Sequence, residues 1–493
     1  MAGIGFELKK LFDKKSAIGY FRAYTYTTVV TTGPFLLMTG MVLMIQLLFS
    51  IFDVPYFTKQ LYIASVSYPF IFSHIISSGF AMLITRYIAD KIYSKEYNEI
   101  IPSLYGMLSV ALTIGSIFAL FFFWKAPLAF ELKLVTYIFY MELITIWIQG
   151  VYLTALKDYK KIIQSYVGGV FLSIFLVFVV LKTSILPQLF GTIVAMDIGM
   201  LLITAMLMTN IKKFFVGTSH RNFLFLQYFE THFNLFLISL FYSISLYIPN
   251  IIIWRGSLAI SIEETYWYAP IYDIATFYGF LSILPVMVVF VVATEIHFYK
   301  RYSTYFMYIT EGGNLKEIED ARNDLFRVMW SEIRNVLEFQ LVFSFIFLAI
   351  GNYLLPRIGL SHSSINMYNL IVLGAYATGI LQIVITILLY VEDRKGALWI
   401  SAIFLIMNVG FNVLGLEFGE NAYGFGFFLA AFLSLVISFG RLVYYSKRLD
   451  YFVFCSRPVF YNKRPGLLSK FVNWCYREKN AVIVMDGKRE FNK

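Results

Sequence analysis

Twelve stretches of mostly apolar residues, each long enough to cross a bilayer, limit what this chain can fold into. A spanning helix needs about 20 such residues. The stretches lie near 22–51, 60–90, 101–124, 128–155, 162–182 and 186–210 in the first half. In the second half they lie near 231–253, 268–297, 331–356, 366–391, 396–416 and 421–446. The polar stretch 211–230 separates six from six, which predicts an all-α membrane protein with an N-lobe over 22–210 and a C-lobe over 231–446. The charge content agrees. Only 14% of the 493 residues are charged, against about 25% in soluble domains, so the chain cannot clothe itself in polar surface. The first apolar stretch runs far beyond the roughly 7–15 residues of a signal-peptide core, and no signal peptide is evident.

The placement of Lys and Arg orients the spans. With the N-terminus in the cytoplasm, about 34 of the 40 cations fall on cytoplasmic segments, as the positive-inside bias requires. Lys59, Lys125, Lys133, Lys182, Arg255 and Arg357 are the exceptions. The alternation predicts a multi-pass protein of the cytoplasmic membrane with both termini inside. The net charge of +10 is explained this way, without nucleic acid.

Three segments on that side stand out. Residues 1–21 hold an amphipathic stretch with Ile4, Leu8, Leu11 and Phe12 on one face and Lys9, Lys10 and Lys14 elsewhere, a pattern suited to an anionic leaflet. The loop 298–330 is broken by Gly312 and Gly313, then reads as an amphipathic helix running into span nine. The tail 447–493 mixes cations with aromatic residues and suits either a membrane surface or a partner protein.

Missing motifs exclude several functions. No GxxxxGK[ST] is present to cradle a nucleotide phosphate, and no HExxH, GxSxG or Cys/His zinc spacing occurs. No DxD is present to hold a metal for a glycosyltransferase. Cys455 and Cys475 are two separate thiols with no metal-site spacing. The chain reads as neither an enzyme nor a cofactor or metal protein.

A charge at bilayer depth costs about 2.5–3.5 kcal/mol on translocon scales. Asp197 and Glu142, near the middles of spans six and four, are therefore candidates for a transport path or ion coupling. Asp273 and Glu295, at the two ends of span eight, join them. The alternative for each is a buried carboxyl paired with neighbouring hydroxyls, and for Glu295 an interface ion pair. His74 in span two reads as a satisfied core histidine, and Asn408 and Asn412 as links between helices. Trp147, Trp254 and Trp267 read as interfacial belt residues, with stacking on sugar faces as the alternative. Pro34, Pro69 and Pro285 mark candidate kinks in spans one, two and eight. The last two occupy matching places in the two halves, which hints at a repeat.

The opening MAGIGFELKKLF, the following FRAYTYTTVVTTGPF and the span-eight stretch PIYDIATFYGFLSILPVMVVFVVATEIHFYKRY resemble the PelG family, and the resemblance extends to EIEDARNDLFRVM. It implies a transporter of the multidrug/oligosaccharidyl-lipid/polysaccharide exporter superfamily, with two six-helix lobes in a V around a central cavity. It implies export of the Pel exopolysaccharide of biofilms, an amino-sugar-rich polymer. It also implies three partners: a PelF-like cytoplasmic glycosyltransferase, a PelD-like cyclic-di-GMP receptor and a PelE-like membrane protein. Asp273, Pro285 and Glu295 lie in the matching motif, which brings no catalytic role with it. The alternatives are a flippase for lipid-linked oligosaccharides, a non-transporting scaffold that anchors and activates the glycosyltransferase, and a small-molecule antiporter.

Overall fold

The computed structural model describes residues 17–154, 159–215, 219–452 and 466–476. The amphipathic stretch 3–15, Cys455 and most of the tail lie outside them. Among the described residues, twelve helices are long and apolar enough to cross a membrane, as the sequence predicts. Spans one to six are Thr25–Ile51, Tyr56–Tyr93, Tyr97–Phe123, Phe130–Thr154, Lys160–Thr183 and Gln188–Phe214. Spans seven to twelve are Leu226–Ile253, Pro270–Val292, Leu315–Ile358, His362–Tyr390, Arg394–Phe418 and Glu420–Ser446. Helix claims both ends of the polar stretch 211–230, leaving 215–225 between the halves. Leu47, Phe121, Phe171, Phe345 and Ile406 are all exposed, so the perimeter is the apolar surface that lipid requires.

The helices pack by one rule used twice. Span two packs on four, four on six, five on six, one on five and three on four. Adding six to each number gives the second half: eight on ten, ten on twelve, eleven on twelve, seven on eleven and nine on ten. Each half is thus a six-helix lobe. Small residues bring some pairs close: a Cβ on Gly199 of span six would come within 2.5 Å of the Gly169 carbonyl of span five. The lobes meet where span two packs on span seven and where span one packs on Leu284–Val292 of span eight. These two contacts are equivalent under the same shift of six.

The candidate prolines behave differently. Pro34 and Pro69 sit inside uninterrupted helices, whereas Pro285 lies at a real break. There, helix Pro270–Phe280 passes through the 3-10 turn Leu281–Ile283 into Leu284–Val292. Buried Gln340 of span nine donates to the Ser282 carbonyl at 3.0 Å. This supplies within the bilayer a partner that the broken ladder leaves without one. Span seven carries a bend that no proline announces, at His232 (φ −127°, ψ 27°).

At the basic end of the bundle, the predicted loop 298–330 is a helical hairpin. A π-helical turn Ala293–Phe298 leads into helix Tyr299–Thr310. The second arm, Leu315–Leu354, is one 40-residue helix, about 60 Å at 1.5 Å per residue. That is twice the hydrocarbon core, so its first half projects beyond the bilayer. Asn314 and Glu317 form a reciprocal cap at its start, at 2.9 and 2.8 Å. Asp450, just past span twelve, accepts from Tyr305 at 2.7 Å and pairs with Arg322, which ties both arms to the C-lobe.

Asp393 is the strongest fastening at this end. It is 4% exposed, caps span eleven through the Gly396 N–H at 2.9 Å, and takes two hydrogen bonds from Arg441 at 2.7 and 2.9 Å. Arg441→Met leaves that carboxylate unpaired and is expected to cost about 3 kcal/mol. Arg334→Met, from an exposed pair with Glu338, should cost under about 0.5 kcal/mol. Thermal unfolding of the two purified variants in detergent checks the contrast.

Candidate functional site

The seam between span two and span seven is built in three tiers. At the far end, opposite the basic end, spans seven and eight are joined by a β-hairpin, Ile260–Ile262 paired with Tyr266–Tyr268. Glu263 and Glu264 at its tip hold left-handed backbone (φ 50° and 47°), which costs L-residues energy and needs surrounding support. The turn is closed locally by the Thr265 N–H on the Ile262 carbonyl, and the N-lobe holds the strand that follows it. The Tyr68 hydroxyl donates to the Trp267 carbonyl at 2.6 Å and accepts from the Trp267 N–H at 2.9 Å. One side chain of span two thereby satisfies both main-chain groups of an edge-strand residue. The Tyr68 ring stacks on Trp254 at 4.9 Å and meets Tyr266 edge-on at 5.0 Å. Tyr266 is fully buried, with its hydroxyl beside Ser65 and Thr136 of the N-lobe.

In the middle tier, His74 of span two crosses to span seven. Its Nδ1 lies 3.1 Å from the Ser243 hydroxyl and 3.3 Å from that of Tyr247. The Trp147 indole meets the His74 ring edge-on and donates to Ser73 at 3.2 Å. Trp147 is half-buried against the N-lobe core and holds span two, and Trp254 is buried. At the basic end, Tyr87 packs edge-on against Tyr228 at 4.9 Å, and Arg86 reaches Glu392 of the C-lobe at 3.9 Å.

Behind the seam, inside the N-lobe, lies a polar stripe. Glu142 and Gln149 stand seven residues apart on span four, and Asp197 and Thr204 stand seven apart on span six, so each pair shares a helix face. Spans four and six pack together. Glu142 Oε2, Asp197 Oδ1, the Thr204 hydroxyl and both side-chain polar atoms of Gln149 are buried with no hydrogen bond to another described residue. Span ten, the counterpart of span four, carries the same kind of atom in the Thr378 hydroxyl and Gln382 Oε1. Buried polar atoms without partners are costly in hydrocarbon, so the stripe is suited to water, a cation or polar cargo. Among the described residues, no group of three His, Cys, Asp or Glu has the makings of a transition-metal site.

The four candidate carboxylates separate on this geometry. Asp197 and Glu142 come together in the stripe. Asp273 is already occupied: it accepts from Asn250 at 2.7 Å, from the Trp254 indole at 3.0 and 3.1 Å, and from the Ala269 N–H at 2.9 Å. It fastens the end of span seven to the start of span eight, at the root of the hairpin. The side chain of Glu295 lies outside the described residues. Asn408 donates to the Ser245 carbonyl at 3.1 Å, linking span eleven to span seven.

The sequence matches the profile of the family described as "PelG: Putative exopolysaccharide Exporter (EPS-E)" over residues 1–454. The chain belongs to the PelG family. No curated protein matches it at a significant level. The fold is that of the multidrug MATE transporters of the MOP superfamily. An outward-facing member aligns with a TM-score of 0.56 at 14% identity, covering 86% of this chain and 96% of that one. An inward-facing member aligns with a TM-score of 0.51 at 14% identity, covering 86% and 99%. The MATE transporter ClbM in complex with Rb+ aligns with a TM-score of 0.52 at 12% identity, covering 86% and 97%. In this PelG-family chain, sequence reasoning missed Tyr68 and the hairpin. The strand-forming triplet Tyr266–Tyr268 beyond a Glu-Glu turn is the local signal that could have exposed them.

Asp273→Asn weakens the bonds from Trp254 and Ala269 and is expected to cost about 1–3 kcal/mol of stability. Asp197→Asn removes no protein hydrogen bond at the unpartnered oxygen and should leave stability within about 1 kcal/mol of the parent. Comparing the thermal midpoints of the two variants in one detergent checks this ordering.

Proposed function

We propose that this protein carries an amino-sugar exopolysaccharide of the Pel type across the cytoplasmic membrane by movement of its two lobes about the span-two–span-seven seam. The observation that carries the reading is the run of unpartnered buried polar atoms on Glu142, Gln149, Asp197 and Thr204. A sugar polymer needs donors, acceptors and aromatic faces along its way, and ionisable residues inside a membrane mark such pathways by default. The family description and the MATE-like fold support transport of such a cargo, and a transporter in place of an enzyme.

The basic end then faces the cytoplasm, by the positive-inside bias. The polymer enters there from a PelF-like glycosyltransferase, with PelD-like and PelE-like subunits alongside. The hairpin held by Tyr68 closes the far end and has to release for the chain to leave. The break at Pro285 begins the part of span eight that touches span one, so it is a natural hinge. With no nucleotide-binding motif in the chain, the drive is polymer synthesis or an ion gradient. Asp197 and Glu142 offer oxygen ligands to a proton or a monovalent cation, and the Rb+ complex of ClbM is consistent with cation binding on this fold. Asp273 serves the path indirectly, by anchoring the hairpin.

One second reading has a specific observation behind it. The helical hairpin Tyr299–Thr310 and Leu315–Leu354 projects from the basic end, as an anchoring and activating scaffold for the glycosyltransferase would.

Sealed vesicles holding this protein, its glycosyltransferase and the accessory subunits separate the two. With sugar nucleotide supplied on the cytoplasmic face, export makes new polymer resistant to added glycosidase only when this protein is present. Polymer that is made only in its presence yet stays digestible sinks the export reading and leaves the scaffold. In the same vesicles, Asp197→Asn should cut protected polymer about tenfold while total polymer changes less than about twofold. Joining Ser65→Cys to Tyr266→Cys with a short bifunctional thiol reagent should stop protection, and cleaving the link should restore it. Undiminished protection with the link intact rules out the hairpin as the exit gate.

A further inference from the structure

The nine-residue helix Leu467–Cys475 has two faces with different partners. One face is docked on the basic end of span seven. Ser469 and Val472 are buried there, Gln227 donates to Asn473 at 3.4 Å, and the Phe223 N–H donates to the Tyr476 hydroxyl at 2.9 Å. Glu230, in the second turn of span seven, caps the helix. It accepts from the backbone N–H groups of Gly466 at 3.0 Å, Leu468 at 2.5 Å and Ser469 at 3.1 Å, and from the Ser469 hydroxyl at 2.5 Å. A carboxylate at a helix start satisfies orphan amides and meets the positive end of the dipole. A Cβ at 466 would sit 2.5 Å from a Glu230 oxygen, so a larger residue there would push the carboxylate out of its present position.

The opposite face is apolar and uncovered. Leu467, Phe471 and Trp474 follow the i, i+4, i+7 spacing of one helix face and are 84%, 46% and 77% exposed. Leu468 and Cys475 flank them and are exposed too, with exposed Lys470 at the edge. Docking to the first turns of a transmembrane span sets the height of this helix at the level where the bundle leaves the hydrocarbon. The exposed charge of the described helix is Lys470; in the sequence alone, Lys463, Arg464, Arg477 and Lys479 flank it against one acid, Glu478.

We infer that Leu467–Cys475 is an in-plane membrane anchor that binds an anionic lipid leaflet, with Leu467, Phe471 and Trp474 in the acyl boundary and Lys470 among the headgroups. An apolar face edged by Lys470, in a cation-rich stretch of sequence, is the chemistry that anionic lipid recognises. The anchor also has a mechanical consequence. Glu230 stands two residues before the bend at His232, so lipid engagement sets the angle at which span seven enters the seam. The inference holds whatever cargo the lobes carry.

The test uses the full chain with Cys455→Ser and an environment-sensitive fluorophore on the exposed native Cys475. The protein is reconstituted in phosphatidylcholine vesicles with and without phosphatidylglycerol. Quenching by spin-labelled lipid should be about twofold stronger with phosphatidylglycerol, and quenching by aqueous iodide correspondingly weaker. Lys470→Glu, which leaves the docked face intact, should abolish the difference between the two lipids. Strong iodide quenching in both lipids overturns the anchor. Protection from both quenchers also overturns it, because a second copy of the chain or another protein then covers the face. Glu230→Gln, which loosens the docking, should raise the mobility of the fluorophore and marks the signal as that of the docked helix.

Discussion

Lipid offers no hydrogen bond to a backbone amide or a side-chain carboxyl, so a polar group in the hydrocarbon core needs a partner in the protein or a wet cavity. Most of this structure is an answer to that constraint. The spans are helical because helices satisfy their own amides. Where span eight breaks before Pro285, Gln340 supplies the Ser282 carbonyl with a donor from another helix. Where the chain turns back at the far end, Tyr68 satisfies both main-chain groups of Trp267. Where span eleven begins, Asp393 caps it and is in turn held by Arg441. Each of these three points has a named side chain attached to it.

Against that background, the unsatisfied atoms acquire meaning. Glu142, Gln149, Asp197 and Thr204 belong to two packed spans of one lobe and face no hydrogen-bond partner among the described residues. Asp273 shows the contrast, because four hydrogen bonds to three residues use up its oxygens. A carboxylate in a membrane is thus not a transport residue by its presence alone. Its unpaired oxygens, not its depth, separate a candidate for cargo or ion from a structural clamp.

The two lobes repeat one packing scheme, yet their contact is uneven. Span two meets span seven in three tiers from end to end, through Tyr68, His74 and Tyr87. Span one meets span eight chiefly along Leu284–Val292, beyond the break. A pair of lobes joined firmly on one side and lightly on the other can open about the firm side. The hairpin and the short helix Leu467–Cys475 sit at opposite ends of that firm side, one on each face of the bundle.

Hydropathy and charge were enough to count the spans, divide them six and six and foresee a helix running into span nine, because burial in lipid is a sum over neighbouring residues and leaves its mark on the local sequence. The opening motif and the span-eight stretch carried the family as well. Tertiary structure decided the rest. Nothing local tells that Trp147 packs against His74 and Ser73 of span two, or that Pro69 leaves its helix whole while Pro285 breaks its own. Nor could the sequence place Tyr68 against Trp267, 199 residues away, or Glu230 against Ser469, 239 residues away. A hydrogen bond depends on a few ångströms between residues that only the packed chain brings together, and that distance is not written in either segment alone.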